Sequence, residues 1–299
     1  MTTFSKAVEN CVLSRQASRY SPHTICDYQN TYAQFAKFLD GDPNIGDITA
    51  TLIAQFLASK TELSDKTLLN YHTGLSSLWS WAKTSGLVEA NIVRLVAPPK
   101  PIEREIIPLS HQEIERLLKA ARLGKFALRD QSIVLILLDT GIRASELCNL
   151  RLKDFDWKNN RVLILGKGKK ERLLKFSPGT KESLTIYLRQ KRGITNYANV
   201  RKQPMYMSSQ DNSLSRSALT QLMRRLRNKA GVLRCHAHLF RHTFAIEFLR
   251  NGGDIYTLQK ILGHASLDMV KRYLKIAQID MDRVHEMASP VTNWHLDQR

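Results

Sequence analysis

Residues 97–108 read APPKPIEREIIP, four prolines in twelve positions with periodic sequence on either side. Proline fixes its own φ and has no backbone N–H, so this stretch can join neither a helix interior nor a sheet. It stiffens the chain instead. The 299 residues are therefore read as two domains, 1–96 and 108–299, joined by a linker over 97–107. That length allows two ordinary domains and a real buried core.

Charge separates the same two parts. Residues 1–100 hold 9 Lys/Arg against 8 Asp/Glu, and the remainder holds 36 against 19, so +17 of the net +18 lies in the C-terminal two thirds. Such an excess on one part points to a polyanion, nucleic acid before an anionic membrane surface; the plainer alternative is a solvated basic face. The membrane is disfavoured. The start, MTTFSKAVEN, has no apolar signal core, and the longest apolar run, IVLILL at 133–138, is far too short to cross a bilayer. Cys11, Cys26, Cys148 and Cys235 form no C-x-x-C pair. Their contexts predict reduced, buried thiols, as in an intracellular protein.

Apolar spacing predicts the elements. Ile25, Tyr28, Tyr32, Phe35 and Leu39 recur at steps of three and four, as do Leu68, Tyr71, Leu75, Leu78 and Ala82. A serine opens each run as a helix cap. With a helix in TATLIAQFLAS between them, they make a small all-α domain, either a DNA clamp or a neutral interaction module. Beyond the linker, SHQEIERLLKAA and DQSIVLILLDTG read as helices, the second ended by Gly141. Residues 161–176 read as a β-hairpin, LSRSALTQLMRRLRNKAGV as a basic helix and AHLFRHTFAIEFLRNGG as another. The fold class is mainly α with a small β-sheet.

No Walker A, G-x-S-x-G or H-E-x-x-H motif occurs, and histidines and acids do not cluster at metal-ligand spacing. No metal or nucleotide cofactor is expected. What remains is a set of polar residues at the ends of apolar elements. Arg143, between two helices, can fork onto a phosphate or pair with Glu146. Lys167 lies in the GKGKK turn, where it can follow a moving strand or simply be solvated. His238 and Arg241 share a helix face. His264 opens the last helical region, where free N–H groups favour an anion. Tyr273 falls about 60° from Val270, at the border of the Leu267–Val270–Leu274 stripe, and is expected to be half-buried. Metal-free phosphodiester cleavage needs cations on the non-bridging oxygens, a nucleophile and an acid for the leaving oxygen. Two arginines, a tyrosine and a lysine can supply these. A tyrosine of pKa about 10 also needs a base or a strong positive field.

In order and spacing the chain resembles the tyrosine recombinase (phage integrase) family, from YSPHTICDY at 20–28 to the tail. TGIRASELCNLRLKDFD is similar to the family's first-arginine motif, GKGKKERLLKF to its lysine hairpin, HLFRHTFA to its H-x-x-R box and LGHASLDMVKRYLKI to its tyrosine box. Phe240 stands where many members have Leu, a change of packing alone. The resemblance implies a helical core-binding domain over 1–96 and a mixed α+β catalytic domain over 108–299, forming a C-shaped clamp on DNA. It implies Tyr273 as nucleophile forming a 3′-phosphotyrosyl link, and Lys167 as proton donor to the 5′-oxygen. Arg143, Arg241 and His264 would hold the phosphate, His238 would assist proton transfer at the tyrosine, and Glu146 would support Arg143.

It further implies a double-stranded DNA partner with a specific recombination site, and a homotetramer on two such sites. The tail MDRVHEMASPVTNWHLDQR would pack in trans, covering Val291 and Trp294. A second recombinase or accessory factor stays open. The arm-binding domain of lambda integrase-like members is expected to be absent, a layout nearer Xer-type or integron-type recombinases. The setting implied is the cytoplasm, at the nucleoid. Arg216, Arg224, Arg225 and Arg227 on the basic helix are DNA-binding candidates, for phosphates rather than bases. A topoisomerase-like nicking and closing enzyme and a non-catalytic DNA-binding protein are the alternatives.

Overall fold

Thr3, Ser21, Thr49 and Ser64 each turn a side-chain oxygen onto the backbone N–H three residues ahead, and each starts a helix. These helices are α1 (Phe4–Ala17), α2 (Pro22–Ala36), α3 (Ala50–Ala58) and α4 (Asp65–Thr84). They belong to the first of two compact units, Met1–Arg104 and Glu105–Arg299. The computed structural model describes residues 2–102, 106–166, 171–208, 212–263, 266–277, 285 and 287–296.

Phe35 of α2 sits at the centre of the first unit. The rings of Phe56, Phe4 and Trp79 meet it edge-on at 5.0, 5.4 and 6.2 Å. Helices α2 and α4 approach closely because Gly74 has no side chain; a Cβ there would lie 2.9 Å from Thr31 Cγ2. Buried His72 places Nε2 3.2 and 2.9 Å from the carbonyls of Val93 and Val96, fastening the segment that follows α4. Cys26, expected to be buried, is exposed. It points about 180° around the helix axis from Phe35, on the outer face of α2. Cys11 and Cys235 are buried, Cys148 is half-buried, and all four thiols are free.

In the second unit α5 (His111–Arg122) opens with a capping box of Ser110 and Glu113. Helix α6 (Ala127–Thr140) is buried and ends on Gly141 in the left-handed region, φ +60°. After α7 (Ala144–Asn149) come strands β1 (Phe155–Asp156), β2 (Arg161–Leu165) and β3 (Glu171–Lys175), paired antiparallel in that order. The expected hairpin thus gains a third strand, while its turn, 167–170, lies outside the described residues. Val162, Ile164 and Leu174 face the core, and Arg172 shares the face of Leu174. Helix α8 (Pro178–Ile186) runs into a π turn over Tyr187–Lys191. Then follow α9 (Arg216–Ala230), α10 (Ala237–Arg250), α11 (Ile255–Leu262) and α12 (Asp268–Ala277).

The larger core lies among α5, α6, α9 and the sheet. A smaller one joins α10, α11 and α12 through Ala245, Ile246, Leu249, Leu258, Leu262, Val270 and Tyr273. Among the described residues no helix is long and apolar enough to cross a membrane.

Candidate active site

Arg241 enters from α10 and is only 1% exposed. A cation at that depth must be held by oxygen atoms. Its Nη1 donates to the carbonyl of Gly141 at 2.8 Å, and its Nη2 to the carbonyl of Leu262 at 2.7 Å. Both acceptors are helix ends, where carbonyls lack partners within the helix and the dipole is negative. Gly141 is required here: with φ +60°, a Cβ would lie 2.5 Å from Phe244 Cδ1. Burial, and then the neighbouring Arg143, lower the Arg241 pKa to about 10, which leaves it charged at neutral pH.

Arg143 stands at the N-cap of α7. Its backbone N–H and Nη1 donate to the two carboxylate oxygens of Glu146, at 2.8 and 3.0 Å, and its Nη2 reaches the carbonyl of Gly263 at 3.3 Å. From β3, Arg172 forks onto the same carboxylate at 2.9 and 2.7 Å. Its Nε donates to the carbonyl of Ile261 at 2.7 Å. Three successive carbonyls at the end of α11, those of Ile261, Leu262 and Gly263, therefore hold three different arginines. Burial alone would raise the Glu146 pKa. The hydrogen bonds from Arg172 and from the Arg143 backbone outweigh it, and the carboxyl lies below its ordinary value. Glu146 is shared by Arg143 and Arg172, while Arg241 is held by carbonyls, so among the described residues these three guanidiniums are answered by one carboxylate, an excess of two positive charges suited to an anion.

Tyr273 of α12 is 4% exposed, where the spacing predicted half-burial. Residues Val270 and Tyr273, one turn apart, both face the α10–α11 core. The Tyr273 hydroxyl lies 2.8 Å from Nδ1 of His242. His238, expected beside the tyrosine, is exposed and packs its ring edge-on against His242, centroids 4.5 Å apart. Burial raises the Tyr273 pKa, while Arg241, Arg272 and Arg143 pull it down. Burial first, then the charges of His238, His236, Arg241 and Arg272, lower His242 to about 4. His238, though its side chain reaches solvent, is lowered too, by the partial desolvation of its ring against the protein and then by Arg241, His236 and Arg143.

The structure thus brings together Arg143, Glu146, Arg241 and Tyr273 from the sequence-predicted set. Lys167 and His264 lie outside the described residues. The four arginines of α9 do not form one stripe. At 100° per residue Arg216 and Arg227 lie within about 20° of each other and Arg225 roughly 180° from Arg216. Arg225 pairs with buried Asp130 of α6, Arg227 is half-buried, and Arg216 and Arg224 are exposed. Sequence reasoning missed Arg172 and His242. The strand alternation put Arg172 on the core face, where a cation needs a partner. His242 stands four residues after His238, one turn along the same helix face.

Such a site can seat a phosphate on guanidiniums and present a phenol to it. The family model for the phage integrase family matches residues 108–278. Tyrosine recombinase XerC of Bacillus licheniformis is 30% identical over 266 residues, 87% of this chain and 88% of that protein. The chain belongs to the phage integrase family. Among solved structures, XerA recombinase is 28% identical, covering 95% of this chain and 97% of its own, with a TM-score of 0.51. The Tn1549 transposon integrase, in complex with a circular intermediate DNA, is 17% identical with a TM-score of 0.78, covering 95% of this chain and all of its own (100%). At that identity the likeness is one of fold.

Proposed function

We propose that this protein is a site-specific DNA recombinase that cuts and rejoins DNA through a 3′-phosphotyrosyl link on Tyr273. The observation that carries the reading is the anchoring of Arg143 and Arg241 on the last turn of α11, with Tyr273 on the next helix. In this reading Arg143 and Arg241 hold the non-bridging oxygens of the scissile phosphate, joined by His264, and Glu146 keeps Arg143 in place. Tyr273 attacks phosphorus and Lys167 protonates the departing 5′-oxygen. His238 supports proton transfer through its contact with His242. The link conserves the energy of the broken bond, so a 5′-hydroxyl from a second duplex can reverse it without ATP or metal.

The partner is double-stranded DNA carrying a recombination site, in keeping with the XerC relative and with the DNA held by the Tn1549 integrase. The +17 charge beyond residue 100 supports it. Residues 1–96 act as the core-binding domain and 97–107 as the linker. Four copies assemble on two sites, with the tail of each packing on a neighbour. Exposed Met287, Val291, Trp294 and Leu296 support that part, because a single chain leaves these apolar side chains in water.

Covalent trapping tests the proposal. Wild type and Tyr273→Phe are incubated with sheared DNA from the source, without metal or ATP. After denaturation, DNA still attached to protein is sequenced at its ends. Attachment by wild type alone at one recurring sequence is the expected result. Attachment at scattered sequences would turn the reading to a topoisomerase-like enzyme, and none at all would overturn it.

A further inference from the structure

We propose that His242 is the proton acceptor for the nucleophile: as Tyr273 Oη bonds to phosphorus, the phenolic proton passes to His242 Nδ1. This rests on the recombinase reading. Geometry carries it. The Nδ1–Oη distance is 2.8 Å, within the range a general base needs. Tyr273 is buried, so bulk water does not take its proton, and the carboxylate nearest the arginines, Glu146, is occupied by Arg143 and Arg172. The ring of His238 abuts His242 edge-on and fixes its orientation.

The groups facing His242 are His236 at the N-cap of α10, His238 and Arg241 within it, and Arg272 and Tyr273 from α12. Burial and these charges keep the imidazole neutral, and burial keeps the phenol protonated. In this assignment the pair rests as O–H donating to Nδ1, with the imidazole proton on Nε2. A phosphate seated on Arg143 and Arg241 offsets the positive field that suppresses the imidazolium. His242 becomes a stronger base when substrate is in place. In the step, the Oη–P bond forms and the P–O5′ bond breaks. The phenolic proton goes to His242, and the leaving oxygen takes one from Lys167. Rejoining returns both.

The test uses a duplex with the recurring sequence recovered by trapping, and single-turnover attachment rates from neutral to alkaline pH. His242→Ala and His242→Asn are compared with wild type. Asn keeps an acceptor near the Nδ1 position but cannot hold the proton, so it separates base from orienter. Both variants should be slowed about 100-fold or more, with rates then rising about tenfold per pH unit as solvent takes over the proton. Added imidazole should restore part of the Ala rate. Replacing the leaving 5′-oxygen by sulfur should not rescue either variant, because its defect lies at the nucleophile.

Wild-type rate and pH slope in the Asn variant would overturn the assignment. So would a slow Asn variant with an unchanged slope, which would make His242 a packing residue. Rescue by the sulfur leaving group would move His242 to the other side of the reaction. A wild type that attaches no DNA through Tyr273 would instead sink the recombinase reading itself.

Discussion

Among the described residues the first unit keeps its charged groups near the surface, whereas the second buries Arg129, Asp130, Glu146 and Arg241. The buried polar side chains of the first unit, Thr31 and His72, bond to nearby backbone carbonyls and hold helices or their connections. An aromatic core does the rest. In the second unit, Arg129 and Arg225 close around Asp130, a set tied further to the Met207 carbonyl. The set around Glu146 holds more positive charge than one carboxylate answers. Interior charge is costly unless paired, so its concentration in one unit marks where an anion is to be handled. The first unit has the interior of a stable scaffold alone.

That contrast can be broken by substitution. Phe35→Ala should remove about 3–5 kcal/mol from the first unit, seen as a lower first transition in thermal unfolding of the full chain. The chemistry of pre-bound DNA should be unchanged; a slowed cleavage step would make the first unit part of the site. Arg241→Lys should do the reverse. One ammonium cannot reach the carbonyls of Gly141 and Leu262 and also a phosphate, so attachment should fall about 10²–10³-fold. Near-normal rates would show that Arg241 serves the fold alone.

Gly141→Ala should cost about 2–4 kcal/mol through the left-handed backbone and the collision with Phe244. Gly231→Ala is its control. It has the same backbone hand but open space around the added methyl, and should cost about 1–2 kcal/mol. Equal losses would mean that Phe244 yields freely. The smallest effect is one of slope. The folded-state pKa of Glu146 lies below its ordinary 4.5, so its contribution is present above pH 4.5 and lost as pH falls through the folded value. Glu146→Gln should therefore lose less stability than wild type over that acid window, measured by urea unfolding. Parallel acid limbs would show that Glu146 is not clamped in the folded protein.

Helices α2, α3 and α4 were legible because their apolar residues keep one face and a Ser or Thr stands at each start. Helix α1 was not. Its buried face is Phe4, Ala7 and Cys11, but Val8, Val12 and exposed Leu13 spread apolar character around the helix. In the site, Arg143, Glu146, Arg241 and Tyr273 were legible through local order and motif resemblance. Arg172 was not, because its carboxylate partner lies 26 residues away in sequence and its third acceptor on α11. His242 escaped because its importance comes from α12, 31 residues on, and no local spacing signals that contact. The burial of Tyr273 likewise depends on how α12 lies against α10.

The end of α11 has a further consequence, in entropy. Arginine is among the most rotamer-rich side chains, and immobilising one upon binding costs on the order of 1–2 kcal/mol. Here three are immobilised by one short helix end, through carbonyls whose spacing is that of the backbone itself. The loss of freedom is therefore incurred once, when α11 folds, and not again when a phosphate arrives. The three positions are also not independent. A slip of α11 by a single residue, about 1.5 Å of rise, would stretch all three bonds together. The anion site is then either whole or lost, its tolerance that of one turn of helix.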